Sequence, residues 1–377
     1  MEVCIPLIPG RGSKIINKAD SMDIRKPTLC IDERIARDNI RIMAAKAARL
    51  RVQFRPHFKT HQSVEVGKWF RQAGVTAITV SSVSMARTFA DAGWSDITIA
   101  FPLNIKETEE VCALAARIKL NVLFDSREQA AALAKVLKQA TGFFIKVDTG
   151  YHRAGVLPGD RETMEAILSV AAAGPLEFRG FLTHAGQTYM AGSPEAVLQV
   201  SHKSRALLAG LKEVYSRRFP GLITSVGDTP SCSIDDDFSG ADEIRPGNFV
   251  YYDLMQLRLG SCRFGQIAAA VICPVVSVYP SRNQALIYGG AVHLSKEYLM
   301  QPDGSKIFGL AVPFTGDRWS FPEGEDYMVS LSQEHGLMRT VSGWAASLRP
   351  GDLVAVIPVH SCLAADLLKD TFTYLVQ

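Results

Sequence analysis

The feature that most constrains this chain is an alternation of short β-rich runs with helical patterns between residues 27 and 255. The β-rich runs lie at residues 27–32, 52–55, 75–81, 97–101, 120–124, 143–147, 178–183 and 222–226. Most are followed by apolar residues spaced three and four apart, the period of an amphipathic helix, as at Ala36, Ile40 and Met43. Strands separated by helices form parallel βαβ units, and eight units in about 230 residues predict a TIM barrel. An open doubly wound sheet is the alternative, but no G-x-G-x-x-G follows the first run.

Beyond residue 255 the pattern changes to β-rich runs separated by turn residues, such as Pro302-Asp303-Gly304 and Arg349-Pro350-Gly351. This pattern is typical of an all-β domain. We therefore predict an α/β protein with a TIM barrel at residues 27–255 and a β-domain at residues 256–377. Residues 1–26 contain no helical pattern and are expected to join the β-domain.

Composition and charge argue against several classes of protein. Hydrophobic residues make up 47% and charged residues 21% of the chain, so neither a disordered nor a fibrous protein is expected. Lysine and arginine number 41 against 38 acidic residues, and a net charge of +3 is too small to indicate a nucleic-acid partner. No apolar run reaches the roughly 20 residues of a membrane-spanning helix, so no membrane partner is expected. The seven cysteines lack the spacing of a disulfide framework, which favours a reducing compartment and a cytoplasmic protein.

A lysine stands where a TIM barrel places its chemistry, just after the carboxyl end of a strand. The second run is followed by Arg55-Pro56-His57-Phe58-Lys59-Thr60-His61, so Lys59 is flanked by two histidines. An amine that is desolvated or close to other cations has a lowered pKa and becomes a better Schiff-base nucleophile. A surface lysine in a polar loop, beside histidines with structural roles, is the alternative interpretation.

Two glycine-containing turns, Gly227–Ser231 and Gly247–Asn248, follow the last β-run. Glycine lets backbone N–H groups approach an anion closely, and the hydroxyl of Thr229 or Ser231 can donate to it. Phosphate sites in TIM barrels often follow the seventh and eighth strands. A lysine together with a phosphate site indicates pyridoxal 5′-phosphate, although either turn alone could be an ordinary turn.

A different signal lies near the C-terminus, at His360-Ser361-Cys362. On an extended segment, residues two apart point to the same side, so the imidazole and the thiol could share a metal ion such as zinc. Two ligands cannot close a structural site, and we expect water or substrate in the open positions. A buried cysteine beside an unrelated histidine is the alternative.

Together these segments resemble a family of pyridoxal-phosphate enzymes with the alanine-racemase fold, in the branch of D-threonine aldolases and metal-dependent D-serine dehydratases. The resemblance covers almost the whole chain. The segments that carry it are Thr28–Asp32, Arg55–His61, Asp148–Gly150 with Arg153 and Gly155, Gly227–Pro230, Arg245–Gly247, Glu334–Gly336 and His360–Cys362. The Arg-Pro-His-x-Lys-Thr-His string is specific.

The resemblance implies roles for individual residues. Lys59 matches the lysine that binds the cofactor covalently, and Arg153 matches the arginine near the phenolic oxygen of the cofactor. The residues expected to contact the cofactor are Lys59, Arg153, His184, Tyr189, Gly227, Thr229, Gly247 and Asn248. His360 and Cys362 match the ligands of a divalent metal. The catalytic residues are expected to be Lys59, His57 and Arg153.

The activity implied by the resemblance is a lyase acting on D-3-hydroxy amino acids, either as a D-serine dehydratase or as a D-threonine aldolase. A thiolate ligand favours zinc, and manganese is the alternative metal. The family also implies a homodimer, because its cofactor site lies at a subunit interface. A racemase of the same fold is one alternative, but Thr60-His61 follow the lysine where racemases carry small residues and an aromatic. A non-catalytic pyridoxal-phosphate carrier is another, but such carriers lack a β-domain.

Overall fold

The structure is a computed structural model of the chain, and it describes residues 14–16, 23–172, 174–321, 324–370 and 373–375. These residues divide into two units. One is formed by Arg37–Ile267, and the other by the described residues on either side of that range. No helix in the described part of the chain is both long and apolar enough to cross a lipid bilayer.

The unit Arg37–Ile267 is built on an eight-stranded parallel sheet, which confirms the predicted fold class. In spatial order its strands are Gln53–Phe54, Glu243–Ile244, Ile223–Val226, Leu176–Leu182, Thr141–Lys146, Lys119–Phe124, Asp96–Pro102 and Ile78–Val80. A parallel bridge between His57 and Thr79 joins the first of these strands to the last, so the sheet closes into a barrel. Inside it, Leu123, Phe144 and Leu182 pack together and are at most 1% exposed.

Helices follow the strands as the alternation predicts. They are Glu33–Arg49, Val64–Gln72, Val83–Asp91, Thr108–Ala115, Arg127–Ala134, Arg161–Ala171, Pro194–Ser216, Thr229–Ile234 and Leu254–Arg258. Four of them begin after a serine whose side chain accepts a hydrogen bond from a backbone N–H of the first turn, at Ser63, Ser82, Ser126 and Ser193. Such caps fix the first turn of each helix and hence the length of the loop at the carboxyl end of the preceding strand.

One predicted barrel strand is wrong. Thr28–Asp32 pairs antiparallel with the first residues of Ala269–Tyr279 and therefore belongs to the other unit. The eighth barrel strand is instead Glu243–Ile244, which pairs with Gln53–Phe54 and Ile223–Val226. A two-residue strand shows no periodicity, so the sequence pattern could not reveal it.

The other unit contains a nine-stranded, largely antiparallel sheet. Its strands are Lys14–Ile16, Thr28–Asp32, Ala269–Tyr279, Gln284–Tyr288, Gly309–Pro313, Met328–Leu331, His335–Arg339, Leu353–Pro358 and Thr373–Leu375. A separate hairpin joins Leu299–Met300 to Lys306–Ile307, and short helices lie at Ala291–Leu294, Gly343–Ala346 and Ser361–Leu367. Within the segment 1–26, Lys14–Ile16 pairs with Thr373–Leu375, and most of the remaining segment lies outside the described residues.

Candidate active site

The loop that carries Lys59 is anchored on both sides of the lysine. The His57 backbone N–H donates to the Pro246 carbonyl at 2.8 Å, and the Phe58 N–H donates to the Thr79 carbonyl at 2.8 Å. The Phe58 side chain is fully buried, and its ring contacts the rings of Phe70, Phe89 and Trp94. Lys59, which follows it, is only half-buried at the carboxyl end of the barrel. The sequence-predicted position of the lysine at the barrel mouth is therefore where the structure places it.

The two histidines that flank Lys59 differ in their surroundings. His61 is fully buried, its ring stacks on Phe70, and burial lowers its pKa to about 3, so it is a core residue. His57 instead accepts a hydrogen bond from the Lys59 backbone N–H at 3.3 Å through Nδ1. Burial and the nearby charges of Lys59 and Arg245 hold the pKa of His57 well below its usual value. His57 is therefore a neutral imidazole beside the lysine.

His184 is a second neutral imidazole at this mouth. Its Nδ1 lies 2.9 Å from the Gly227 carbonyl, which can only accept, so Nδ1 carries the proton and Nε2 is an acceptor. Burial and the charge of Lys59 hold the pKa of His184 well below its usual value. Its ring centroid is 6.0 Å from that of Tyr151 and 6.3 Å from that of Tyr189.

Two buried cations that the sequence reasoning did not name as site residues lie inside the barrel. Lys146, 6% exposed, ends its strand, and burial together with Arg245 and Arg153 lowers its pKa to about 8. Arg245, 5% exposed, donates to Ser225 and, at 2.6 Å, to the Thr183 carbonyl, while its Nε has no hydrogen-bond partner among the residues that the structure describes. The in–out alternation of the strand before Asp148 could have indicated that Lys146 points inward.

The predicted phosphate turns converge in the structure. The Gly247 N–H donates to the Thr229 hydroxyl at 3.3 Å, and the Thr229 N–H donates to the Tyr189 hydroxyl oxygen at 3.4 Å. Gly227 has φ +157°, and a Cβ there would lie 2.6 Å from the Arg245 backbone nitrogen, so only glycine fits. A Cβ on Gly247 would lie 3.0 Å from the His57 carbonyl oxygen, so this turn touches the lysine loop.

Asn248 and Arg153, also predicted to contact the cofactor, have other partners. The Asn248 side-chain amide donates to Asp253 Oδ2 at 2.6 Å, which places it against the cap of the helix Leu254–Arg258. The Arg153 guanidinium is exposed and lies 4.8 Å from the centre of the Tyr151 ring. Its charge still lowers the pKa values of His184 and Lys146, so Arg153 lies near the same mouth.

The reasoning that paired His360 with Cys362 is corrected by the structure. The strand ends at Pro358, His360 caps the helix Ser361–Leu367, and Cys362 is the second residue of that helix. The two side chains therefore do not alternate along an extended segment. No group of three or more His, Cys, Asp or Glu side chains that could hold a metal ion occurs among the residues the structure describes. The available donors are one imidazole and one thiol, both half-buried, which suit zinc but leave positions open.

The arrangement fits pyridoxal phosphate. Lysine, two neutral imidazoles, Arg153, Lys146 and Arg245 meet at one end of the barrel, and an anionic ligand would balance their excess positive charge. The glycines let backbone segments pack closely at both turns, and the buried Arg245 Nε has no hydrogen-bond partner among the described residues. A separate cavity of about 270 Å³ is lined by Ile99, Phe101, Val122 and neighbouring residues, but none of the predicted site residues lines it.

Comparison with known proteins agrees with this geometry. Residues 31–254 match the family model described as "Alanine racemase, N-terminal domain", and residues 268–374 match the "Putative serine dehydratase domain". The chain belongs to the alanine racemase N-terminal domain family. Its second match places a serine dehydratase domain over most of the β-domain predicted from the sequence, so the resemblance stated from the motifs is confirmed.

Relatives within and around this family include several dehydratases. A D-serine dehydratase of Dictyostelium discoideum is 28% identical, with 94% of each chain covered. A solved structure of D-threo-3-hydroxyaspartate dehydratase from Delftia sp. HT23 has a TM-score of 0.83 and 27% identity, covering 92% of this chain and 93% of that one. A variant of that enzyme, with a cysteine replaced by alanine, is described as metal-free. D-threonine aldolase from Filomicrobium marinum shares the fold, with a TM-score of 0.76 at 21% identity and 92% and 90% of the two chains covered.

Proposed function

We propose that the protein is a pyridoxal-phosphate-dependent lyase that removes water from D-3-hydroxy amino acids. The observation that carries the proposal is the position of Lys59 between two neutral imidazoles, His57 and His184, with the glycine turns beside them. The dehydratase names of the relatives and the serine dehydratase domain support dehydration over aldol cleavage.

The residues at the barrel mouth can divide the work of holding the cofactor. Lys59 Nζ would hold it covalently, and Gly227, Thr229 and Gly247 would hold its phosphate. The Tyr189 hydroxyl lies at the same turn, while Arg153 and His184 would face the ring, and Asn248 would brace the second turn through Asp253. When bound, the cofactor supplies an electron sink for the bond that breaks at the α-carbon.

Proton transfer at the α-carbon falls to Lys59. Its amine, once free of the covalent link, is the base proposed to take the α-proton of the substrate. His57 and His184 stay uncharged at neutral pH because their pKa values lie well below the usual range. They add no positive charge beside Lys59, and the Nε2 atom of His184 remains an acceptor that can orient the substrate.

The metal is proposed to bind His360 and Cys362. Two solved variants of D-threo-3-hydroxyaspartate dehydratase replace a histidine and a cysteine that lie two positions apart, and the structure of the cysteine variant is described as the metal-free form. His360 and Cys362 have the same spacing. A metal held there would polarise the 3-hydroxyl group as a Lewis acid, and the thiolate favours zinc over manganese.

A homodimer is proposed because large apolar side chains are exposed where the barrel strands end. Phe101 is 59% exposed, Leu157 55% and Met190 88%; Phe101 lies at the carboxyl end of its strand, and the other two lie in the connections that follow strands Thr141–Lys146 and Leu176–Leu182. An apolar rim of this kind is typical of an interaction surface, and a second subunit would cover it. No disulfide bond joins the cysteines that the structure describes, which supports a cytoplasmic location.

One assay separates the candidate activities. The protein, loaded with pyridoxal phosphate and with zinc or manganese, is incubated with D-serine, D-threonine and D-threo-3-hydroxyaspartate. Dehydration releases ammonia with pyruvate, 2-oxobutyrate or oxaloacetate, whereas aldol cleavage of D-threonine gives glycine and acetaldehyde. A racemase would instead produce the L-enantiomer, and a cofactor carrier would give no turnover. Aldol cleavage without dehydration would contradict the dehydratase assignment, and either of the last two results would contradict the lyase proposal as a whole.

A further inference from the structure

An acidic residue, Asp228, lies within the phosphate turns. It separates Gly227 from Thr229, caps the helix Thr229–Ile234 and is 4% exposed. Its Oδ1 accepts hydrogen bonds from the Ser231 backbone N–H at 2.8 Å and from the Thr188 hydroxyl at 2.9 Å. These bonds fix the carboxyl group next to the position where the proposed function places a phosphate dianion.

Asp228 forms no ion pair with any residue in the described part of the chain. Arg245, the cation that attracts it, uses its terminal N–H groups to donate to Ser225 and to the Thr183 carbonyl. Burial raises the pKa of Asp228 to about 6, because the two hydrogen bonds and Arg245 only partly offset the loss of water.

The other titratable groups around this turn do not supply a compensating charge. The His184 ring contacts the Gly227 carbonyl and is neutral, and burial raises the pKa of the Cys232 thiol on the same helix. Lys46 donates to the Ser233 carbonyl, and the Tyr189 hydroxyl meets the Thr229 N–H.

We propose that Asp228 takes up a proton when pyridoxal phosphate binds, so that a neutral carboxylic acid borders the phosphate. This inference rests on the proposed function, because it requires the phosphate to occupy these turns. Two negative groups in one buried site cannot both remain ionised at low cost, and the carboxylate is the one whose pKa is already raised. The proton comes from solvent and binds a carboxyl oxygen, and no bond to the cofactor forms or breaks. The acid keeps acceptors for Ser231 and Thr188 and gains an O–H donor.

The test compares the number of protons exchanged on cofactor binding by the full-length cofactor-free protein and its Asp228→Asn variant. The asparagine side chain has the same shape as that of aspartic acid, and its amide group donates hydrogen bonds without taking up a proton. Titration calorimetry with pyridoxal phosphate at pH 8, in two buffers that differ in ionisation enthalpy, gives the proton count. Proton exchange at Lys59 and at the phosphate itself is common to both proteins and cancels in the difference. The control is Asp160→Asn, which changes an exposed helix-capping aspartate at Arg161–Ala171.

We expect the parent and Asp160→Asn to take up about one proton more per site than Asp228→Asn when the cofactor binds. Above pH 7, their affinity for pyridoxal phosphate should therefore fall more steeply than that of Asp228→Asn, by roughly a further tenfold per pH unit. With pyridoxal, which lacks the phosphate, the difference should vanish. If Asp228→Asn does not fold, infrared difference spectra of the parent should still show a protonated carboxyl band on cofactor binding. Equal proton counts, or no such band, would overturn the inference while leaving the lyase proposal intact. A parent protein that binds no pyridoxal phosphate would refute both.

Discussion

Gly247 is the point at which a phosphate turn touches the lysine loop, so Gly247→Ala tests how tightly the two must fit. An alanine Cβ would lie 3.0 Å from the His57 carbonyl oxygen, 3.1 Å from the His57 Cβ and 3.2 Å from the Thr60 hydroxyl oxygen. Gly247 has φ −128° and ψ −55°, so it does not lie in the left-handed region that favours glycine. The main effect expected of the substitution therefore comes from these contacts, which lie on both sides of Lys59.

The size of the expected loss of affinity depends on how far the lysine loop can move away from an alanine at position 247. Contacts of 3.0–3.2 Å require the neighbours to move by a few tenths of an ångström. The loop cannot move as a whole, because the His57 N–H donates a hydrogen bond to the Pro246 carbonyl and the Phe58 ring packs in an aromatic cluster. Overpacking of this kind typically costs about 1–3 kcal/mol. If the cost falls on the cofactor-bound state, the affinity for pyridoxal phosphate should drop by roughly 5- to 150-fold, at about 1.4 kcal/mol per tenfold.

The measurement is an absorbance titration of cofactor-free protein with pyridoxal phosphate, together with thermal unfolding in the absence of cofactor. Gly210→Ala is the matched control, because no atom lies within 4 Å of a Cβ at that position. We expect the control to bind the cofactor like the parent, and Gly247→Ala to lose affinity with a smaller change in unfolding temperature. If Gly247→Ala binds within twofold of the control, the turn does not set the position of the lysine, and the reasoning from its contacts is wrong.

Three further predictions concern other parts of the chain. Borohydride should fix the cofactor onto Lys59 and nowhere else, and Lys59→Ala should lose both the covalent link and nearly all turnover; peptide mapping of the cofactor to another lysine would contradict the assignment. Chelation of the metal and the substitution Cys362→Ala should each lower turnover by roughly 10- to 100-fold or more, while the absorbance of the bound cofactor is retained. Added zinc should restore the turnover of the chelated parent but not that of the variant. Full turnover in both the chelated parent and the variant would exclude the metal role. Glu243→Ala should remove one of the two carboxylate partners of the buried Arg55 guanidinium, leaving Asp96, and lower the free energy of unfolding by about 3–5 kcal/mol, measured by urea denaturation; a loss under about 1 kcal/mol would show that Asp96 alone suffices for Arg55.

The sequence predicted those parts of the fold in which a long repeated pattern carries the signal. Alternating strands and helices predicted the barrel, and the position after the second run placed Lys59 at its mouth. The pattern gave a wrong prediction at Thr28–Asp32, which has the sequence of a first barrel strand but pairs with Ala269–Tyr279. Strand pairing is a long-range property, and a buried run of five residues looks the same in a parallel and in an antiparallel sheet.

In the candidate site, too, some residues could be predicted from local sequence motifs and others could not. Motifs predicted the phosphate turns, and the structure brings Gly247, Thr229 and Tyr189 into contact. The extended-strand argument for pairing His360 with Cys362 fails because a helix begins at Ser361, so the proposed pairing rests on the family resemblance. Lys146 went unnamed because its role depends on neighbours supplied by distant strands, which a local pattern does not show.

The buried cations of the barrel differ in how their charges are neutralised, and this difference supports the proposed position of the ligand at the carboxyl ends of the strands. Arg55, 3% exposed, donates to both Glu243 and Asp96 at 2.5 Å, so its charge is balanced by the protein itself. Lys146, at the carboxyl end of its strand, has neither an ion pair nor a side-chain hydrogen bond within the described part of the chain, and its pKa is lowered to about 8. A buried charge that the protein leaves unbalanced is costly unless a ligand supplies the opposite charge. Lys146 lies near Arg153 and Arg245, and the pKa of His184 responds to Lys146, Arg153 and Lys59 together. Asp125 and Asp148 offset this positive charge only in part, so we expect an anionic molecule to supply the rest at this mouth, as the proposed function requires.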